Sequence, residues 1–357
     1  MKQFTLISVQ GDPFERGYQY GARAAGSIAA NMAAYLRLIE FHAGLRSEAA
    51  LAAARGFAPL VEAYAPELLE EMRGIAEGAG RSLDEILLIN ARSELMGTVQ
   101  NGECTALAAG PDFAVGGRVL LGQNWDWYTA IEVEPVLLEI RQASAPDILT
   151  LAEAGQVGKI GMNSAGLGLC LNFLQHTDRG QGLPIHVILR RMLGCAALGE
   201  AIHEAYRVPR GGSANILLAH AEGDLLDLEL TPLDADFFYG DAGWLVHANH
   251  FESPRLRAGD AGLATSMSTL ARAARARRLL AQAAGRASVE GFRAILRDHT
   301  YGAYAICRHP DPSEPDLQQT ATRASLIMDL SEGALHVSAG QPCREECQTI
   351  RPFATSA

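Results

Sequence analysis

No apolar run in the 357-residue chain is long enough to span a bilayer. The opening "MKQFTLISVQGDP" has too short an apolar stretch for a signal peptide and meets a turn at Gly11-Asp12-Pro13, so no targeting segment is expected. Positive charge is also scarce: 30 Lys and Arg stand against 41 Asp and Glu, a formal charge of −11. That argues against a nucleic-acid or anionic-membrane partner, because phosphate binding needs a clustered basic surface. The densest basic stretch, "ARAARARRLLAQ" at Ala271–Gln282, spaces its arginines among Ala and Leu at helical intervals and reads as a solvated helix face, with phosphate binding there the less favoured alternative. Cysteine is sparse, with Cys104, Cys170, Cys195, Cys307, Cys343 and Cys347 spread too thinly for a disulfide scaffold. Free thiols in a reducing cytoplasm are the expectation. The apolar share of 48% with 20% charged residues supports a real core.

What is present changes texture along the chain. Residues up to about Ala91 read as helices, with Pro59 and Pro66 as breaks and Ser82, Asp84 and Glu85 as a capped start. From Cys104 hairpins take over: "CTALAAG" and "RVLLGQNWDW" around one turn, "PVLLEIRQASAPDILTLAEAG" around Pro146-Asp147, and "KIGMNSAGLGLCLNFL" around "NSAG". Leu183–Val208 reverts to helix behind Pro184, followed by a hairpin turning at Glu222-Gly223-Asp224 and a strand at "GWLVHANHF". Ser268–Ala284 and Val289–Asp298 read as helices, and "YAICRHP" and "RASLIMDLSEGALHVSAGQP" as strands. Hairpins imply mostly antiparallel sheets. Blocks of helix between sets of hairpins fit two sheets with helices on both outer faces, an α+β sandwich, better than a doubly wound parallel sheet. No repeat or linker divides the chain.

Few motifs carry chemistry. "CREEC" offers Cys343 and Cys347 without a second pair at zinc spacing, and His247 and His250 of "HANH" point to opposite faces of a strand. Free thiols and ordinary polar histidines are the simpler reading, and no metal is expected. There is no G-x-S-x-G elbow, "SMST" at Ser266–Thr269 lacks the lysine of a Ser-x-x-Lys dyad, and the glycines of "GMNSAGLGL" are turn glycines. Cys104 remains. A cysteine in a strand is usually a small buried hydrophobe. Here it falls where helices end and hairpins begin, after "QNGE". A cut before it would free an α-amine on the same residue, and an amine titrating at roughly 7.7–8.0 can serve the thiol as general base.

"GECTALA" followed by "LLGQNWDWY" closely resembles the isopenicillin N acyltransferase family, N-terminal-nucleophile enzymes that cut themselves before a cysteine. "LAEAGQVGKIGMNSAGLGLCLN", "GLPIHVILRRML", "LELTP", "LVHANH" and "YAICRHP" resemble family segments in the same order, as does the start "GDPFERGYQYG". The resemblance implies an N-terminal-nucleophile hydrolase fold, an αββα four-layer sandwich of two mostly antiparallel sheets between helical layers. It implies cleavage of one domain, 1–357, at Glu103-Cys104 into a mostly helical chain, 1–103, and a catalytic chain, 104–357, that stay associated. It aligns Cys104 with the nucleophile, Asp126 with the carboxylate holding the nucleophile's region, Asn249 with the oxyanion-stabilising asparagine and Arg308 with the active-site arginine. Thr231 stands where the acyltransferase has a serine.

In physical terms Asn249 can donate to a tetrahedral oxyanion, Asp126 can accept from the Cys104 amine, and Arg308 can lower the thiol pKa or fix Asp126. Read without the family, Asp126 and Arg308 are equally a structural ion pair and Asn249 a backbone-satisfying residue. Two departures stand out. Glu103 occupies the glycine position before the nucleophile and restricts the backbone more than glycine would. Gln123 matches the acyltransferase branch where bile-salt and penicillin V hydrolases carry arginine. The expected substrate is a small acyl amide or acyl thioester. The expected reaction is hydrolysis of a linear amide, ranked slightly above acyl transfer to an amine, through a thioester on Cys104 and with no cofactor. The alternatives are a conventional cysteine hydrolase with internal Cys104 and His247 or His250 as base, and a non-enzymatic binding module.

Overall fold

A computed structural model of the chain describes residues 3–97, 103–130, 133–265 and 267–353. Residues 98–102, just before the expected cut, and residue 266 of "SMST" lie outside the described residues.

The first strand, β1 (Thr5–Val9), is followed by α1 (Pro13–Ala43), α2 (Ser47–Arg55), α3 (Ala58–Tyr64), α4 (Pro66–Ala79), α5 (Leu83–Asn90) and α6 (Arg92–Met96). Strand β1 corrects the all-helical reading of this region: it adds in parallel to the edge of a sheet, Thr5 opposite Val136, a long-range pairing that five residues of local pattern do not reveal. The turn expected at Gly11-Asp12-Pro13 is the start of α1. Asp12 accepts the Glu15 N–H at 2.8 Å, Glu15 reaches back to the Asp12 N–H at 3.1 Å, and Pro13 needs no donor partner there. Helix α1 lies against α4 at backbone contact, since a Cβ on Gly17 would meet the Glu71 carbonyl and one on Gly74 the Phe14 carbonyl.

The hairpins follow: β2 (Glu103–Ala109), β3 (Leu120–Tyr128), β4 (Pro135–Ile140), β5 (Ile148–Glu153), β6 (Ile160–Asn163) and β7 (Leu167–Leu174). The expected single helix over Leu183–Val208 is two, α7 (Ile185–Leu193) and α8 (Leu198–Tyr206). Then come β8 (Ser213–His220), β9 (Leu225–Leu230), β10 (Ala235–Tyr239), β11 (Trp244–His247), α9 (Ser268–Ala281), α10 (Val289–Leu296), β12 (Thr320–Asp329), β13 (Ala334–Ser338) and β14 (Cys347–Ile350). "YAICRHP", expected as a strand, is an irregular segment held by Cys307 N–H to Asp298 O at 3.0 Å and Thr322 N–H to Arg308 O at 3.1 Å.

Two sheets result. One runs β1-β4-β5-β6-β7-β8-β9-β10 and the other β11-β2-β3-β12-β13-β14. Apart from β1–β4, the pairs are antiparallel, as the hairpins imply. Strands β2 and β3 pack against β7 and β8 of the facing sheet. Helices α1, α7 and α8 cover the outer face of the larger sheet, and α9 and α10 that of the smaller. The fold is therefore α+β, an αββα sandwich. Strands β2 and β3 are buried along their whole length, because both of their faces are covered. No helix of the described residues is long and apolar enough to cross a membrane.

Polar side chains in β3 are satisfied by neighbouring layers. Gln123 bridges the sheets, accepting the Leu171 N–H at 3.0 Å and donating to the Leu171 carbonyl. Asn124 donates to the carbonyls of Leu296 at 2.8 Å and Ile306 at 2.9 Å, which anchors the segment leading to Arg308.

Candidate active site

Cys104 is the second residue of β2 and is 5% exposed. Its backbone N–H donates to Asn249 Oδ1 at 2.7 Å. Asn249 Nδ2 in turn donates to the Phe173 carbonyl at 3.0 Å. One acceptor and one donor on either side fix which end of the amide faces Cys104. Asn249 is itself held by its N–H to Thr269 Oγ1 at 2.7 Å. The sequence points to Asp126 as acceptor at the Cys104 nitrogen, with Asn249 donating nearby. In the uncut chain it is the Asn249 oxygen that accepts there.

Helix α9 sends Arg272, fully buried, into the centre of this group. Its Nη1 donates to the Cys104 carbonyl at 2.5 Å and to Thr105 Oγ1 at 2.9 Å, and its Nη2 donates to Asn249 Oδ1 at 3.0 Å and lies 3.1 Å from Glu103 Oε2. This corrects the reading of Ala271–Gln282 as a solvated face. Arg278 is exposed, whereas Arg272 points to the sheet with Ala276 and Leu280.

Glu103 is buried although charged. Its Oε2 is held by Arg272, by Arg308 Nη1 and by Ser268 Oγ at 2.7 Å. Glu103 lies directly opposite Asp126 in the β2–β3 ladder, which puts both side chains on one face. Arg272 and Arg308, both on Glu103 Oε2, offset that like-charge pairing. Burial, with a smaller contribution from Glu103, pushes the Asp126 carboxyl up to about 7, against the pull of Arg272, Thr322 and Arg308. Asp126 and Arg308 are linked through Thr322, whose hydroxyl donates to Asp126 Oδ1 at 2.6 Å and accepts the Arg308 N–H at 2.9 Å. A bulge between Thr322 and Ala324 in β12 turns Thr322 toward Asp126.

On the other face of the ladder Cys104 pairs with Trp125. Lys159 Nζ lies 3.4 Å from the Trp125 ring centroid and 2.7 Å from Glu153 Oε1. Arg92 Nη2 holds the same carboxylate at 2.6 Å. Burial pushes the Cys104 thiol up to about 11, helped by Asp126 and opposed by Lys159, the Asp126 backbone N–H and Arg272. Lys159 and Arg272 thus pull against the burial that raises this thiol.

A cavity of about 550 Å³ opens beside this cluster, lined among others by Glu103, Met267, Ser268, Tyr301, Tyr304 and Arg308. Its apolar and aromatic walls lead to a charged end, a mixture suited to a small acyl compound.

Cys104, Glu103, Asp126, Asn249 and Arg308 are therefore brought together. Thr231 is not. Its hydroxyl donates to Asp178 Oδ2 at 2.7 Å and accepts the Asp234 N–H at 2.9 Å, closing the turn after β9. His247 meets two acceptors, the Ala248 carbonyl at 2.9 Å and Glu229 Oε1 at 2.8 Å. Against burial, Asp227 and Glu229 raise its pKa to about 9, so it stays a cation rather than a base. His250 Nδ1 is 2.9 Å from Thr269 Oγ1. Sequence reasoning missed Arg272, Thr322 and Lys159. Arg272 was marked by being a charge on the apolar stripe of its own helix. Lys159 was marked by being, with Lys2, the only lysine in the chain.

A profile of the family described as acyl-coenzyme A:6-aminopenicillanic acid acyl-transferase matches residues 114–344. The chain belongs to this family. The matched segment contains Asp126, Asn249 and Arg308 and begins past Cys104. The family member is also 35% identical over 259 residues to the 40 kDa form of acyl-coenzyme A:6-aminopenicillanic-acid-acyltransferase from Emericella nidulans, covering 68% of each chain. Two solved structures share the fold. A point mutant of conjugated bile acid hydrolase from Clostridium perfringens aligns with a TM-score of 0.52 at 13% identity, over 70% of this chain and 92% of that one. Penicillin V acylase from Agrobacterium tumefaciens aligns with a TM-score of 0.50 at 16% identity, over 70% and 86%.

Proposed function

We propose that this family member is a self-cleaving N-terminal-cysteine amidohydrolase that also transfers acyl groups to amines. The observation that carries the reading is the 2.7 Å contact between Asn249 Oδ1 and the nitrogen of Cys104, the atom that self-cleavage would release as an amine. In the first step the Cys104 sulfur attacks the Glu103 carbonyl, the C–N bond breaks, and the nitrogen takes the thiol proton. Water hydrolyses the resulting thioester, leaving a Glu103 carboxylate and a free Cys104. The arginine-held Glu103 side chain supports this step by fixing the scissile carbonyl from its own residue.

In the mature enzyme the α-amine rests on Asn249 Oδ1 and takes the Cys104 proton. The thiolate attacks the substrate carbonyl beside Arg272 and Lys159. The second hydrogen of Asn249 Nδ2 serves the oxyanion, and the departing amine leaves with the proton held by the α-amine. Water completes hydrolysis; an amine in its place completes transfer. Asp126 and Thr322 position Arg308. The fragments 1–103 and 104–357 stay together because α1 and α6 bury their contacts with the second. Asn31 Nδ2 donates to the Ala154 carbonyl at 2.9 Å and Arg92 holds Glu153 at 2.6 Å.

The test is acyl-enzyme trapping. Fluorogenic amides of differing acyl length are quenched in acid during turnover and the fragments weighed. An acyl adduct on the fragment starting at Cys104, discharged faster when an amine is added, is expected. Turnover with an adduct elsewhere overturns the assignment.

A further inference from the structure

Four side chains outside the proposed catalytic group converge on one point. His299 follows α10, Cys307 and His309 flank Arg308, and Cys343 lies in the turn after β13. Their ligand atoms all lie within 4.8 Å of one another. His299 Nε2 is 3.1 Å from His309 Nε2, which is 3.3 Å from Cys343 Sγ and 3.9 Å from Cys307 Sγ. Around a tetrahedral zinc ion, bonds of about 2.0–2.1 Å to nitrogen and about 2.3 Å to sulfur put donor atoms roughly 3.3–3.8 Å apart. The observed separations bracket that range.

We propose that His299, Cys307, His309 and Cys343 form a structural Cys2His2 zinc site. Two thiolates and two imidazoles in a closed tetrahedral set select zinc over oxygen-seeking cations. The loops are already joined independently of the ion: Cys307 N–H bonds Asp298 O at 3.0 Å, and Arg297 Nε donates to the Pro342 carbonyl at 2.6 Å. His299 and Cys343 are exposed, which leaves a way in, while Cys307 is buried. On binding, the two thiols lose their protons to solvent and the two neutral imidazoles bind through Nε2. Cys343 thus has its partners in another segment rather than in Cys347, which is why the "CREEC" spacing alone did not betray the site. The ion would staple the segment carrying Arg308 to the loop after β13. The proposal rests on these four residues and stands whether or not Cys104 is the nucleophile.

The test uses the full chain, purified under reducing conditions, stripped with a chelator, reloaded with zinc and desalted before elemental analysis. One retained zinc per chain is expected. The exposed-ligand variants Cys343→Ser and His299→Gln should lose zinc affinity by about tenfold or more, while Cys347→Ser keeps it. Cobalt loading should give the absorption of a tetrahedral thiolate complex, weakened in Cys343→Ser, which keeps one thiolate of the two. Three outcomes overturn the site: no zinc retained with all thiols free, zinc retained equally by the Cys343→Ser and His299→Gln variants, or a Cys307–Cys343 disulfide in the reduced preparation.

Discussion

Glu103 and Arg308 form an ion pair in the interior, one residue before the candidate nucleophile and 205 positions apart in the chain. The pair joins the end of the expected N-terminal fragment to the segment that carries Arg308, the arginine the resemblance aligns with an active-site position. It also gives a physical reason why a side chain is tolerated at a position where the resemblance leads one to expect glycine.

Replacing Glu103 by Gln keeps the shape but removes the charge that Arg272 and Arg308 hold. A hydrogen bond to a charged group contributes about 1.5–3 kcal/mol, so self-cleavage should slow by roughly tenfold or more. Gel densitometry of freshly translated chain over time measures it. Unchanged cleavage would mean that the clamp does not position the scissile carbonyl.

Asn249→Ala removes the oxygen at the Cys104 nitrogen and the amide beside it. Both cleavage and amide turnover should fall, with kcat reduced by about 10²–10³-fold. Steady-state kinetics on the cleaved fraction separates the two effects. A variant that cleaves slowly but turns over normally once cut would confine Asn249 to maturation.

Arg272→Met leaves Glu103, Asn249 and the Cys104 carbonyl each short of a buried donor. Breaking such a network costs about 3–5 kcal/mol. Arg272→Lys should recover little, because a single ammonium cannot reach four acceptors as the guanidinium fork does. Denaturant midpoints give the comparison. A cost below about 1 kcal/mol would place Arg272 in the solvated class that its local sequence suggests.

Glu94 offers a pH test of burial. Its Oε1 accepts the Ile185 N–H at 2.9 Å, and burial raises its pKa from 4.5 to about 7 against the pull of that bond and of Arg92. The folded chain therefore holds this proton more tightly than the unfolded one. Stability from this group is present below pH about 4.5 and lost as pH rises to about 7, roughly 3 kcal/mol across the window. Glu94→Gln should reduce the slope of the stability profile between those limits by the contribution of one group. An unchanged slope would show that Glu94 ionises freely in the folded state.

Much of this site was legible because its residues sit in short, distinctive local patterns. Cys104, Asp126, Asn249 and Arg308 could each be placed by neighbours in sequence. Arg272 could not, because "ARAARARRLL" looks like an exposed face until the sheet shows which stripe is inward; the clue was Arg272 preceding Ala276 and Leu280 by four and eight positions. Strand β1 escaped because parallel edge pairing leaves no hairpin behind. The cluster of His299, Cys307, His309 and Cys343 escaped because its ligands come from separate loops. Thr231 went the other way: its resemblance to a site serine suggested a role, but the turn after β9 keeps its hydroxyl.

The central claim, that Cys104 works with its own freed amine, is tested most directly by intact mass under denaturing conditions on wild type and Cys104→Ala. The account predicts two fragments split between Glu103 and Cys104 for wild type and one full-length chain for the variant. A wild-type preparation that turns over amides while remaining a single uncut polypeptide would contradict it.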